Sequence, residues 1–143
     1  MDKTWILSVS ELLFLTICAV EDYRNRKISI YYCMIFGMMG LLEVALLHPF
    51  PWYSFFGGIG IGMVIILISK LAYAGIGEGD GWIFCVTGIY TGISANLALL
   101  LGAGWLCAGY ALAGVALKKY EKKDRLAFAP FILVAQVILW MLR

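Results

Sequence analysis

What most limits this chain is a succession of apolar runs, at about residues 5–20, 30–47, 55–73, 81–93, 97–117 and 126–142, separated by short stretches that hold most of the charge. A run of about 20 apolar residues spans a bilayer as a helix, and fewer suffice where the ends sit in interfacial loops. The expected fold is therefore all-α: a polytopic membrane helix bundle with about six transmembrane helices. Of 143 residues only 14% are charged, against about 25% in a soluble domain. A chain this short is expected to form one transmembrane domain over residues 1–143, with no separate soluble unit.

The breaks have physical causes. His48-Pro49-Phe50-Pro51-Trp52-Tyr53 ends the second run, because its prolines stop a helix and its aromatics suit the headgroup level. Ser94-Ala95-Asn96 reads as a polar turn between the fourth and fifth runs, although those two can also be taken as one broken segment. The first run, preceded by Lys3, could be a cleaved signal peptide. It is long for that role, lacks a small-residue cleavage site and ends in Glu-Asp-Tyr-Arg, so a retained helix is expected.

Charge sets the orientation. With six alternating spans, Arg24, Arg26, Lys27, Lys70, Lys118, Lys119, Lys122, Lys123 and Arg125 fall on one side, leaving Lys3 and Arg143 for the other. The positive-inside rule makes the first side cytoplasmic and puts both termini outside. Removing one span would destroy this asymmetry, so it supports the count. The lysines at 118–123 serve topology and anionic headgroups, and no nucleic-acid signature is present.

Cys18, Cys33, Cys85 and Cys107 lie singly in apolar segments with no C-x-x-C pair, and His48 is the only histidine. They read as small buried apolar residues, and neither a zinc site nor any cofactor is expected. Gly58 and Gly62, and again Gly88 and Gly92, are four apart, a spacing that lets helices approach closely.

One loop breaks the apolar pattern. Gly75-Ile76-Gly77-Glu78-Gly79-Asp80-Gly81 combines four glycines with two carboxylates. A second acidic pair, Glu21-Asp22, follows the first span on the same expected side. Asp22 and Asp80 thus share a depth at the cytoplasmic boundary. Two adjacent carboxyls repel, so that one keeps its proton while the other ionises. The ionised group can then take a proton from water as the protonated one polarises a peptide carbonyl, with no acyl-enzyme. Nothing in the residue pattern assigns either aspartate to either role.

Gly77 and Gly79 fit such chemistry, since a side-chain-poor loop lets enzyme backbone approach an extended substrate. The plainer reading is a flexible turn with a solvated acid. Glu78 and Glu21 adjoin the aspartates and could shift their proton affinity or take their place. Arg24 could hold the loop beside Asp22, pair with it, or act only as a topology signal. Glu11 and Glu43 lie inside spans, where an acid is a functional candidate by default. Glu11 shares a helix face with Asp22 but stands about 16 Å farther along at ~1.5 Å per residue, too far to join a pair there. Glu11 and Glu43 read as packing or hydrogen-bonding groups, and Gln136 as a hydrogen-bonding partner across the bundle.

Three patches together resemble the prepilin peptidase family, the type IV prepilin and preflagellin peptidases, which are polytopic aspartic proteases with a G-x-G-D motif. Asp22-Tyr23-Arg24-Asn25-Arg26-Lys27-Ile28 is similar to the family's D-x-R-x-x-x-I-P after its first helix. Gly77-Glu78-Gly79-Asp80 is the G-x-G-D, and Ala127-Phe128-Ala129-Pro130-Phe131 is similar to the P-F-x-P-F that opens the last helix. The resemblance implies Asp22 and Asp80 as catalytic groups. It also implies cleavage of short basic leaders from pilin-like precursors at the cytoplasmic membrane face, after a glycine and before the precursor's hydrophobic helix. Ser29, Trp82 and Ala127 depart from the family's usual proline, lysine and proline, which bears on substrate preference. Longer members carry a cysteine-rich cytoplasmic segment and also methylate the new N-terminus. No such segment occurs in this sequence, which argues against the methyltransferase activity. Presenilin-like proteases share G-x-G-D, but their Tyr-Asp and Pro-Ala-Leu signatures are absent.

Two other classes compete. A proton- or cation-coupled carrier or channel subunit would use Asp22, Asp80, Glu11 and Glu43 as a path, and a membrane scaffold would need none of them. The expected partners of the peptidase are a pilin-like precursor and the lipid bilayer. Nothing in the pattern specifies an oligomeric state.

Overall fold

The structure, a computed structural model, describes residues 4–25, 27–48, 50–72, 78–118 and 128–142. These form five helices and no strand: α1 (Thr4–Asn25), α2 (Ile30–Leu47), α3 (Trp52–Ala72), α4 (Glu78–Ala116) and α5 (Ala129–Leu142). The first four are long and apolar enough to cross a membrane, and α5 is a shorter apolar helix.

The 39 residues of α4 would extend about 58 Å if straight, roughly twice the ~30 Å hydrocarbon core. The helix does not run straight. Gly92 adopts φ 78° and ψ −176°, which only glycine accepts at low cost, and the chain breaks there. Asn96, twelve residues beyond Phe84, returns to donate from Nδ2 to the Phe84 carbonyl at 2.9 Å. The arms 78–91 and 93–116 therefore lie side by side, and the bundle has six rods, as the apolar runs require. The reversal falls at Gly92 and not at Ser94-Ala95-Asn96, which are helical. Asn96 is fully buried, where it also accepts from Thr87 Oγ1 and donates to the Gly58 carbonyl, at 2.8 and 2.9 Å. The new helix start after the break is capped from a neighbour, as the Ile93 N–H donates to Ser54 Oγ at 3.1 Å.

The first arm of α4 is central. Against α3 it runs antiparallel with almost nothing between the backbones. A Cβ on Gly88 would strike the Gly58 carbonyl group, one on Gly62 would strike Cys85, and one on Gly81 would strike Ile66. The expected close approach through Gly58, Gly62 and Gly88 is present, whereas Gly92 serves the turn. Against α2 the arm runs parallel. The Tyr90 ring fills the space left by Gly40, and its hydroxyl donates to the Phe36 carbonyl at 2.7 Å.

On α1 the residues Leu7, Glu11, Phe14, Cys18 and Asp22 recur at helical spacing and form one buried stripe, while Ile6, Val9, Leu13 and Val20 point outward. The stripe meets α5 in antiparallel register. Trp5 touches Trp140 edge-on with ring centroids 5.6 Å apart, and Gln136 Nε2 donates to Glu11 Oε2 at 2.8 Å. Ser10 Oγ donates to Glu43 Oε1 at 2.8 Å. The intramembrane acids thus have hydrogen-bonding partners, as expected of them. Cys18, Cys33 and Cys85 are buried and Cys107 is half-buried. The apolar side chains that remain exposed line the outside of the helices, as a bundle with lipid for solvent requires.

Candidate active site

One end of the bundle collects the last turn of α1 and the first turns of α2, α4 and α5. Its geometry follows from the helix directions. The second and third family-like patches begin α4 and α5, and the first closes α1 and leads into α2.

Asp22 lies within the final full turn of α1, which continues to Asn25 instead of ending near residue 20. As the last member of the buried stripe it is only 8% exposed. Its Oδ2 accepts the backbone N–H of Ala129 at 3.1 Å across 107 residues of sequence. Ala129 is the fully buried first residue of α5, one of the positions whose amide has no partner within its own helix. The next residue, Pro130, has no N–H to satisfy. The Phe128 carbonyl takes the first bonds of the helix, from Phe131 and Ile132, while its ring leans on Phe84 with centroids 6.4 Å apart. Asp22 is therefore the side-chain cap of α5, supplied by another helix. An amide bond to a charged acceptor contributes about 1.5–3 kcal/mol. The unfavourable end of α1's own macrodipole offsets only about 0.3–1 kcal/mol of it.

Asp80 stands in the first turn of α4, just ahead of the apolar run that starts at Gly81. It is half-buried. Its carboxyl lies near enough to Asp22 for the two charges to interact. The two aspartates are thus brought within electrostatic reach of each other. Among the described residues no donor reaches Asp80 and neither aspartate forms an ion pair.

The remaining site residues are arranged around this pair. Gly79 faces Ile28, and a Cβ there would lie 3.1 Å from the Ile28 side chain, so the connection after α1 lies directly against the start of α4. Glu78 and Arg24 are exposed, Arg24 in the last turn of α1 where a cation suits the helix dipole. Gly77 lies outside the described residues. Glu21 is engaged elsewhere: its Oε2 accepts the Ser29 N–H at 3.1 Å and holds the entry to α2. Ser29, the position of the family's usual proline, has φ −74° and makes no side-chain cap of its own. Among the described residues no group of three His, Cys, Asp or Glu side chains could hold a metal ion.

Sequence reasoning did not foresee the Asp22–Ala129 bond, the Ile28–Gly79 contact or the Glu21 cap. Each joins backbone to a distant side chain. The only available signal was that the three patches sit at ends of runs expected on one side.

A helical membrane bundle with two aspartates gathered at one end narrows the possibilities to a small class. The chain belongs to the type IV leader peptidase family, whose model matches residues 10–112. It is also 27% identical, over 129 residues, to a prepilin leader peptidase/N-methyltransferase of Bacillus subtilis (strain 168). That match covers 89% of this chain and 52% of the relative, so the chain spans about half the length of the curated relative it matches. No solved structure matches.

Proposed function

We propose that this protein is a membrane-embedded aspartic endopeptidase that removes the short basic leader of type IV pilin-like precursors at the cytoplasmic face of the cell membrane. The observation that supports the reading is that Asp22, in the last turn of α1, and Asp80, in the first turn of α4, stand at the same end of the bundle. Such a pair suits direct attack by water. One carboxylate takes a water proton as the oxygen bonds to the scissile carbonyl carbon, and the other protonates the carbonyl oxygen. The proton is returned to the departing amine as the C–N bond breaks. Gly77 and Gly79 would admit the extended substrate, with Glu78 and Arg24 shaping the loops. The positive-inside pattern supports the cytoplasmic placement. Peptidase action is the activity we assign; the Bacillus relative's name carries N-methyltransferase as well.

The test is to incubate the purified protein in detergent with a pilin-like precursor and to sequence the new N-terminus. Asp22→Asn and Asp80→Asn should each lower cleavage at least about a hundredfold, the scale of lost general acid–base help. Normal processing by either variant rejects the dyad.

A carrier or channel subunit is the second reading, favoured by the buried Glu11–Gln136 pair and the partly buried Ser10–Glu43 pair. Proton or cation flux in liposomes with no peptide cleavage would support it instead.

A further inference from the structure

The end of α1 carries two neighbouring carboxyl side chains, and each reaches the start of a different helix. Asp22 accepts the Ala129 N–H of α5, and Glu21 Oε2 accepts the Ser29 N–H ahead of α2, both at 3.1 Å. Resting on the peptidase reading, we propose that Glu21 is a positioning residue of the site. It holds the connection at residues 27–29 so that Ile28 seats on Gly79, and so fixes the turn of α4 that carries Asp80 against the turn of α1 that carries Asp22.

The chain of contacts is short. Residues 27–29 belong to no helix, so their backbone groups must find partners outside a regular ladder. Ser29 is the N-cap of α2, yet its own side chain makes no cap bond. Glu21 supplies the anchor instead, from eight residues earlier and from inside a helix, where its backbone is already fixed.

The next link is Ile28, half-buried and packed against the core. Its Cβ and Cδ1 would each lie 3.1 Å from a Cβ placed on Gly79. Gly79 has no side chain, so Ile28 rests on the backbone of α4 itself. Close-packed contacts of this kind pass on a displacement with little slack. Asp80 projects from the very next residue of that backbone. At the other end, Glu21 and Asp22 are consecutive in α1 and move together. One bond from Glu21 therefore ties the backbone of one aspartate to that of the other.

A bare loop charge would look different. Arg24 and Lys27, which flank the connection, are exposed, whereas Glu21 is half-buried with a backbone partner. That engagement also makes Glu21 a holder of the connection and not a substitute for Asp22.

The test uses the full chain in detergent, with cleavage kinetics on a pilin-like precursor and hydrogen exchange read by mass spectrometry. Per folded molecule, Glu21→Ala should lower kcat about tenfold or more with KM little changed, because small misplacements of reacting groups are costly. Glu21→Gln keeps an oxygen that accepts the same N–H and should stay within about twofold of the parent. A Glu21→Gln variant as weak as Glu21→Ala would make charge the operative property and overturn the proposal. Ser29→Pro removes the N–H at a backbone angle that proline accepts, φ −74°. In that background Glu21→Ala should have no further effect on kcat, and an undiminished loss overturns the proposal as well.

Hydrogen exchange reads the link without any cleavage. Exchange at residues 78–82 should quicken in Glu21→Ala and in Ile28→Ala, the second of which leaves the Ser29 bond in place. Quickening confined to residues 27–30 refutes the link to α4. Should Glu21→Ala fail to fold, Glu21→Asp, one methylene short of Ser29, replaces it with the same expectations. Failure of the peptidase reading looks different: cleavage would survive Asp22→Asn or Asp80→Asn, whatever the exchange at residues 78–82 shows.

Discussion

Asn96 Nδ2 donates to the carbonyl of Phe84, twelve residues earlier and on the other arm of α4, at 2.9 Å. That contact is possible only because the helix reverses at Gly92. Asn96 also binds Thr87 and the Gly58 carbonyl, so a single side chain joins both arms of α4 to α3. Asn96→Ala should lower stability by about 1–3 kcal/mol, since single bonds in membranes average below 1 kcal/mol but three are lost together. Unfolding in mixed detergent micelles measures it.

The backbone contact between α3 and the first arm of α4 leaves no space at Gly88 or Gly58. Gly88→Val should force the helices apart, with loss of folded protein and of cleavage. Gly60 is the control, because a methyl group added there would meet nothing within 4 Å. Gly60→Ala should behave as the parent in the same assays.

Glu11 and Gln136 form a bond that an amide can replace. Glu11→Gln should keep precursor processing within about twofold, whereas Gln136→Leu strips a buried carboxyl of a donor and should cost about 1–3 kcal/mol. Processing abolished by Glu11→Gln would instead bring the intramembrane acid into the function.

Ser29 occupies a proline position with a proline-compatible φ of −74°. Ser29→Pro loses the bond to Glu21 but stiffens the unfolded chain. The two effects nearly cancel, and the melting behaviour should shift by less than about 1 kcal/mol equivalent.

Much of this architecture was legible because lipid imposes simple demands. Apolar runs located the spans, and the four-residue glycine spacing marked segments able to approach another helix closely. Asn96 misled because asparagine favours turns in water, whereas here a buried amide has every partner it needs. Gly92 was legible only as a packing glycine, since no local pattern separates that role from a reversal. At the site, the aspartates and glycines stood out by being polar or small in an apolar chain. Ala129 did not, because its contribution is a backbone N–H that every residue but proline carries.

Because the partner of Asp22 comes 107 residues later, α1 waits for α5. A ribosome threading this chain into a membrane would release α1 through α4 before α5 exists. On the proposed reading, the nascent protein can cut nothing until α5 has been made and has docked.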